Sequence, residues 1–368
     1  MAKQEPDEDK IVRLRQRLFE WYAANRRDLP WRGNPDPYAI WVSEIMLQQT
    51  RVAVVIERFQ AFLARFPTLV SLALAPEQDV LALWSGLGYY RRARMLHKAA
   101  QFVAGNHQGN LPATAAELRT LPGIGPYTAA AIASIAHGQR VAVVDGNVER
   151  VLCRVAGWEA GSRGGAALRR KIDALAEELV DPHQPGDFNQ ALMELGAIVC
   201  LPRNPLCRVC PLWQDCKTRG EHRTARHPPM LSREVAYALS LRAVGLGRNG
   251  GTKLAREVLL EQRPASHSVM PGMWELPALR EAAVPEQDLR MTLRHSIMQV
   301  NYYVRIRSVM EDDVEAMTVA GAERRWVSLD EAAAMALTGL ARKVLARARL
   351  TPAAQPRGAD KAPDEGAA

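Results

Sequence analysis

Long apolar runs are missing from this sequence of 368 residues, and with them the ~18–20 residues that a membrane span requires. The first ten residues, MAKQEPDEDK, lack the apolar centre of a signal peptide, so a cytoplasmic chain with no membrane association is expected. Aromatic residues are scarce at 6%, and there are only five cysteines. Without a secretory signal, that number does not suggest a disulfide framework. Strong charge of one sign is also lacking. Lysine and arginine total 48 against 40 acids, a net +8, which suits a polyanionic partner without naming one. Apolar residues in general are plentiful at 48%, which excludes wholesale disorder. The length exceeds what one compact domain usually holds and suggests two.

Residues 1–10 read as a solvated tail. Helical periodicity begins at Ile11, passes through Leu14, Leu18 and Tyr22, and breaks at RRDLPWRGNPDP, residues 26–37. Alanine- and leucine-rich blocks then predict helices over 43–65, 77–84, 89–104, 114–120, 126–137, 146–156, 165–180 and 187–199. The polar, proline-containing stretch 217–230 reads as a linker. Beyond it, 233–245 and 254–262 resemble strands, 300–307 alternates with a period of two, and 329–349 reads as a helix. The expectation is a mainly α domain over 11–216, a smaller α+β domain over 231–350, and a disordered tail over 351–368. Residues 1–230 hold 29 basic and 23 acidic side chains, and 231–368 hold 19 and 17. The helical half therefore carries most of the excess charge.

Cys200, Cys207, Cys210 and Cys216 form C-x6-C-x2-C-x5-C. Four thiolates in one short loop can wrap a tetrahedral ion or a cubane. One CxxC with longer arms suits the reach of a 4Fe-4S cluster better than a zinc knuckle, and zinc stays open. Cys153, beside Val151, Leu152 and Val155, reads as a buried structural thiol.

Residues 121–128, LPGIGPYT, close one helical block and open the next. Gly123 and Gly125 permit a tight turn whose backbone N–H groups face outward at a helix N-terminus, an anion site that a DNA phosphate fits. An apolar run, VAVV, then leads into Asp145-Gly146-Asn147. By itself Asp145 reads as a helix cap or turn residue.

The order of these motifs, a glycine hairpin, then Asp-Gly-Asn about twenty residues on, then the four cysteines, resembles the helix-hairpin-helix DNA glycosylase superfamily, which includes endonuclease III. More closely, it resembles the MutY-type adenine DNA glycosylases. VSEIMLQQTRV, WSGLGYYRRARMLHKAA, LPGIGPYTAAAI, VDGNVERVL and FNQALMELGAIVC carry the likeness. It is dense over 11–216 and weaker beyond.

That resemblance implies a monofunctional base-excision enzyme that flips adenine out of duplex DNA, where it is mispaired with 8-oxoguanine or guanine, and hydrolyses its glycosidic bond. Glu44 would be the general acid and Asp145 the carboxylate facing an oxocarbenium-like sugar. Such an acid needs a desolvated pocket, because an ordinary glutamate titrates at about 4.3. Tyr127 stands where the strand-cleaving relatives carry a Schiff-base lysine, so an abasic product is implied. Its hydroxyl would hold Asp145, and Asn147 would bridge that carboxylate and the sugar. Leu29, Trp31, Arg32 and Gln190 would line the adenine pocket. Gln48 and Gln49 would probe the opposing base, with Leu87 and Tyr89 wedged into the stack beside the flipped nucleotide. One 4Fe-4S cluster, a monomer and a bacterial-type, nucleoid-associated location complete the implication.

PGMWELP, residues 271–277, resembles the MutT/Nudix-like domain with which this family recognises 8-oxoguanine, although the pyrophosphohydrolase glutamate motif is missing. Where the family commonly has Phe-Ser-His, this chain has Ile297-Met298-Gln299, after Arg294-His295-Ser296. Lesion discrimination through that loop is left without its usual side chains, and His295 or Ser296 could replace them only by a shift of register. Two rival functions are a thymine or uracil mismatch glycosylase and a non-catalytic DNA-binding or redox-signalling protein. Glu44 and the second domain weigh against the first, and the paired carboxyls against the second.

Overall fold

The computed structural model describes residues 8–159, 165–221, 229–246, 253–319 and 323–350. The chain divides into two compact units, Met1–Pro228 and Pro229–Ala368. Among the described residues, no helix is long and apolar enough to cross a membrane. The expected tail over 351–368 and most of the expected linker lie outside the described residues.

The first unit is helical: α1 (Glu8–Asn25), α2 (Pro37–Leu47), α3 (Val52–Arg65), α4 (Leu69–Ala73), α5 (Glu77–Leu83), α6 (Tyr90–Asn106), α7 (Ala115–Leu118), α8 (Pro126–His137), α9 (Gly146–Ala156), α10 (Gly165–Leu179) and α11 (Pro185–Ile198). Its centre is α2, started by Asp36, whose side chain accepts from the Tyr38 N–H, with Pro37 in the first turn. Every residue from Tyr38 to Met46 is buried. An all-round apolar helix of this kind belongs inside a core rather than on a surface. Against it packs α8, whose run Thr128–Ser134 is buried and mostly alanine. Small side chains let backbones approach closely. At Gly186 in α11, a Cβ would lie 2.7 Å from the Ser134 carbonyl oxygen of α8.

Several expectations need correction. Residues 8–10 are not tail but the first turn of α1. The predicted helix 43–65 is two, because Gln48 leaves the helical region and Gln49 adopts a left-handed φ of 56°. The start of the predicted linker is folded, since the Lys217 and Thr218 N–H groups bond to the carbonyls of Val155 and Arg154. Helix α4, with its Thr68–Ser71 capping box, was not predicted.

The second unit contains β1 (Leu231–Leu239), β2 (Leu241–Leu246), β3 (Lys253–Gln262), β4 (Trp274–Glu275), β5 (Leu289–Ile297), β6 (Val300–Ser308), α12 (Val314–Met317), β7 (Arg324–Ser328), α13 (Leu329–Ala334) and α14 (Gly339–Arg347). One sheet has the order β1-β6-β5, with β1 parallel to β6 and β5 antiparallel to it. In the other, β3 pairs antiparallel with β2, β4 and β7. Leu239, Val258, Trp274, Val304, Ile306 and Val344 share one core. The predicted strand 233–245 is two strands in different sheets, changing over at Ser240. The predicted helix 329–349 breaks before Thr338, whose side chain caps α14. Strands β5 and β7 were not predicted. Arg294, His295, Ser296 and Ile297 are strand residues, so only Met298-Gln299 forms the hairpin turn, with Met298 left-handed and exposed.

The close approach at Gly186 predicts that Gly186→Ala forces α11 away from α8 and costs about 1–3 kcal/mol. Chemical denaturation should show a lowered midpoint with an unchanged slope.

Candidate active site

A cleft of about 560 Å³ opens in the first unit, lined by residues from α2, α8, the start of α9, α11 and the turn before α2. It gathers Glu44, Tyr127, Asp145 and Asn147 with Leu29, Trp31, Arg32, Gln48, Gln49 and Gln190.

Glu44 projects from the buried α2 and is only 6% exposed. Burial pushes its carboxyl up to about 7, against the stabilising hydrogen bond from Tyr127, and the nearby Asp145 charge adds to the rise. The group therefore holds its proton part of the time at neutral pH. The Tyr127 hydroxyl donates to Glu44 Oε2 at 2.6 Å. This corrects the expectation that Tyr127 holds Asp145: from the first turn of α8, its hydroxyl bonds to the carboxylate carried by α2.

Asp145 is held by its own helix. It caps α9, with Oδ1 accepting from the Val148 N–H at 2.7 Å and Oδ2 from Asn147 Nδ2 at 2.9 Å. The capping reading and the expected Asn147 bond are therefore both correct. Asn147 Oδ1 accepts in turn from Arg150 Nη2 at 2.9 Å, and Arg150 also donates to the carbonyls of Gly196 and Cys200 at 2.7 and 2.8 Å.

The opposite wall contains an ion-pair triad absent from the sequence reading. Arg27 and Arg32 both donate to the buried Glu194, their shortest contacts 2.6 and 2.7 Å. Burial works against the Glu194 charge, yet the two guanidiniums outweigh it and hold the carboxyl down to about 2. The signal was present in the sequence: an acid flanked by Met193 and Leu195 on a helix needs a cationic partner. Its identity needed the fold.

The other predicted contact residues lie apart from this cleft. Tyr89 and Gly123 line a neighbouring cleft of about 370 Å³, which Gln48 and Gln49 also border. Tyr89 is 49% exposed, but Leu87 is 4% exposed and packed inward, so it is not presented as a wedge. Gly125 sits at the N-cap of α8.

Cys200, Cys207, Cys210 and Cys216 surround one pocket with Val151, Leu195 and Leu212. Among the described residues, no group of three or more acidic, histidine or cysteine side chains is gathered tightly enough for a single metal ion. The buried Arg154 donates to Cys200 Sγ at 3.4 Å and to the carbonyls of Leu201 and Pro202, while its Nε has no partner. A buried guanidinium bonded to a sulfur and carbonyls, with an orphaned donor, fits a site whose thiolates supply negative charge when they bind a cluster. Cys153 is fully buried in the core and does not line that pocket, although Cys200 and Cys210 pack against the same core cluster.

Residues 42–182 match the HhH-GPD superfamily base excision DNA repair protein family. The chain is 48% identical over 222 residues to the adenine DNA glycosylase of Homo sapiens, covering 58% of this chain and 40% of that protein. The Rattus norvegicus adenine DNA glycosylase is 40% identical over 315 residues, covering 73% of this chain and 61% of its own. The chain thus spans about two fifths to three fifths of these relatives' length. Among solved structures, a thermostable thymine-DNA glycosylase superposes with a TM-score of 0.53 at 30% identity, covering 58% of this chain and 97% of that one.

Glu44 geometry predicts a rate of any acid-catalysed step that falls as pH rises through about 7. Tyr127→Phe removes a bond that favours the carboxylate. The alkaline limb of the pH–rate profile should then move up by about one unit.

Proposed function

The chain belongs to the HhH-GPD superfamily of base excision DNA repair proteins, and within it we propose that it is a monofunctional adenine DNA glycosylase. The carrying observation is the pair of carboxyls in one cleft, Glu44 desolvated and brought to about 7 and Asp145 bonded to a helix N-terminus and an amide, with a tyrosine at the hairpin position. Adenine is a poor leaving group, so departure of the base requires a proton on a ring nitrogen as the C1′–N9 bond breaks and its electrons go to the base. Glu44, desolvated and titrating near neutrality, supplies that proton. Asp145, fixed by Val148 and Asn147, faces the positive charge left on the sugar. Water then adds at C1′ and its surplus proton passes to the Glu44 carboxylate, giving free adenine, an abasic site and the restored acid. Tyr127 has no amine for a Schiff base, so the strand stays intact. Leu29, Trp31, Arg32 and Gln190 line the pocket for the flipped base, and Arg27 and Glu194 join them as its polar wall. Gln48, Gln49 and Tyr89 face the opposing strand, and the turn at Gly123–Gly125 takes a phosphate.

The substrate is duplex DNA with adenine opposite 8-oxoguanine or guanine, engaged by a monomer. The second unit acts as a Nudix-like reader of the opposing base, without hydrolytic residues of its own. Cys200, Cys207, Cys210 and Cys216 would hold one 4Fe-4S cluster. When bound, that group supplies a covalent clip for the loop and no chemistry at the glycosidic bond. Arg154 holds the loop against α9 from its buried position.

Incubation with A:8-oxoguanine, A:G, A:C and A:T duplexes should give breaks only after alkali, and only in the adenine strand of the mispaired duplexes. Glu44→Gln should retain DNA binding and lose about 10²–10⁴-fold in excision rate. Breaks without alkali, or undiminished turnover by that variant, would overturn the assignment. The purified protein should contain about four irons and four sulfides per chain; stoichiometric zinc would exclude the cluster.

A further inference from the structure

Arg92 has no assigned role above, yet it is the most heavily hydrogen-bonded side chain near the two clefts. It lies in the first turn of α6, its guanidinium withdrawn from solvent and without a carboxylate among its partners. Nη1 donates to the carbonyl oxygens of Ile45 at 2.7 Å, Met46 at 3.3 Å and Gln48. Nη2 donates to Thr50 Oγ1 at 3.1 Å, Leu87 O at 3.2 Å and Gly88 O at 3.4 Å. The Thr50 hydroxyl closes the circuit at 3.3 Å from Leu87 O. The guanidinium carbon stands 5.7 Å from the Trp84 ring centroid and 5.3 Å from that of Tyr89.

These acceptors belong to two segments far apart in sequence. One is the end of α2 with the turn 48–50; the other is the turn 86–89. Each turn contains a residue that ordinarily avoids its conformation: Gln49 has φ 56° and Tyr89 φ 47°. Left-handed non-glycine backbone persists only where its surroundings over-determine it. Arg92 is the shared surrounding. It ties both turns to one planar fork, and its charge faces the carbonyl end of α2, where the helix dipole favours a cation. Burial lowers its pKa only to about 10, so the charge is kept at neutral pH. A lysine would retain the charge but not a rigid fork that can serve acceptors in two segments.

We propose that Arg92 is a positioning residue that holds the 48–50 and 86–89 turns at a fixed separation, and through that spacing sets which base is accepted opposite the excised adenine. The inference rests on the reading of Gln48, Gln49 and Tyr89 as contacts to the opposing strand. Arg92 itself touches no reacting atom. A device of this kind acts on selectivity between opposing bases and leaves the proton transfer from Glu44 alone.

The test compares Arg92→Lys and the near-isosteric Thr50→Val with the wild-type full-length protein. Rates are measured in single turnovers with enzyme in excess on A:8-oxoguanine and A:C duplexes, with thermal melts alongside. The ratio of the two rates should fall by about tenfold or more for Arg92→Lys and in the same direction, by less, for Thr50→Val. The alkaline limb near pH 7 should stay where it is in the wild type. Should Arg92→Lys fail to fold, Thr50→Val carries the test alone. Equal loss on both duplexes, or an unchanged ratio in folded variants, overturns the inference. A wild-type protein that releases no adenine from any duplex overturns the proposed function, and this inference with it. Activity with unchanged selectivity overturns only the role of Arg92.

Discussion

One carboxyl on the wrong kind of helix organises this site. Residues 38–46 of α2 are buried throughout, and Glu44 is the single carboxyl among them. Burial sets its proton affinity, so the packing around α2 is part of the chemistry. Small residues along α8 bring that helix onto α2, and Tyr127 comes with it to the carboxyl. The glycine at 186 lets α11 close from the other side, carrying Gln190 and Glu194. A loosened core would admit water, let the carboxyl drift toward its ordinary range and so remove the acid at neutral pH.

The basic excess of the helical half is partly internal. Arg92, Arg150 and Arg154 donate to carbonyls at helix ends and turns, and Arg27 and Arg32 are committed to Glu194. Five donors in a plane make a guanidinium suited to binding converging carbonyls where a helix stops. Arg150 and Arg154 lie one turn apart on α9, and both reach the segment that starts at Cys200. The same helix begins at Asp145, so the cap carboxylate and the cysteine loop are joined through a single rigid element. Formal charge counted along the sequence thus overstates the cationic surface left free for a polyanion.

Local signals explain what was legible before the fold was known. The predicted 126–137 and 146–156 blocks coincide with α8 and α9 because Gly-Pro, Asp-Gly and the glycines at 138 and 157 punctuate both ends. The 43–65 prediction failed because nothing local ends α2; its last carbonyls are taken by Arg92, 44 residues beyond Gln48. The strand 233–245 failed similarly, since its alternation persists while its pairing partner changes at Ser240. Cysteine spacing and the Asp-Gly-Asn motif could be read from sequence because each is confined to one segment. The partners of Glu194 could not, for Arg32 and Arg27 lie 162 and 167 residues from it.

The partner of Tyr127 has the widest consequence. Had its hydroxyl held Asp145, one side chain would have fixed the orientation of the anionic carboxylate and left Glu44 with burial alone. Instead Tyr127 bonds to Glu44 and limits a rise in pKa that desolvation would carry further. Asp145 is secured separately, by the α9 N-terminus and Asn147, donors that favour a negative charge. The two carboxyls share one cleft, and two independent sets of contacts hold them. Burial raises the proton affinity of Glu44, while Asp145 accepts from the Val148 N–H at the start of α9 and from Asn147. The tyrosine sits between those devices as a tuning element, holding the acid near neutrality so that it can give up its proton as well as keep it.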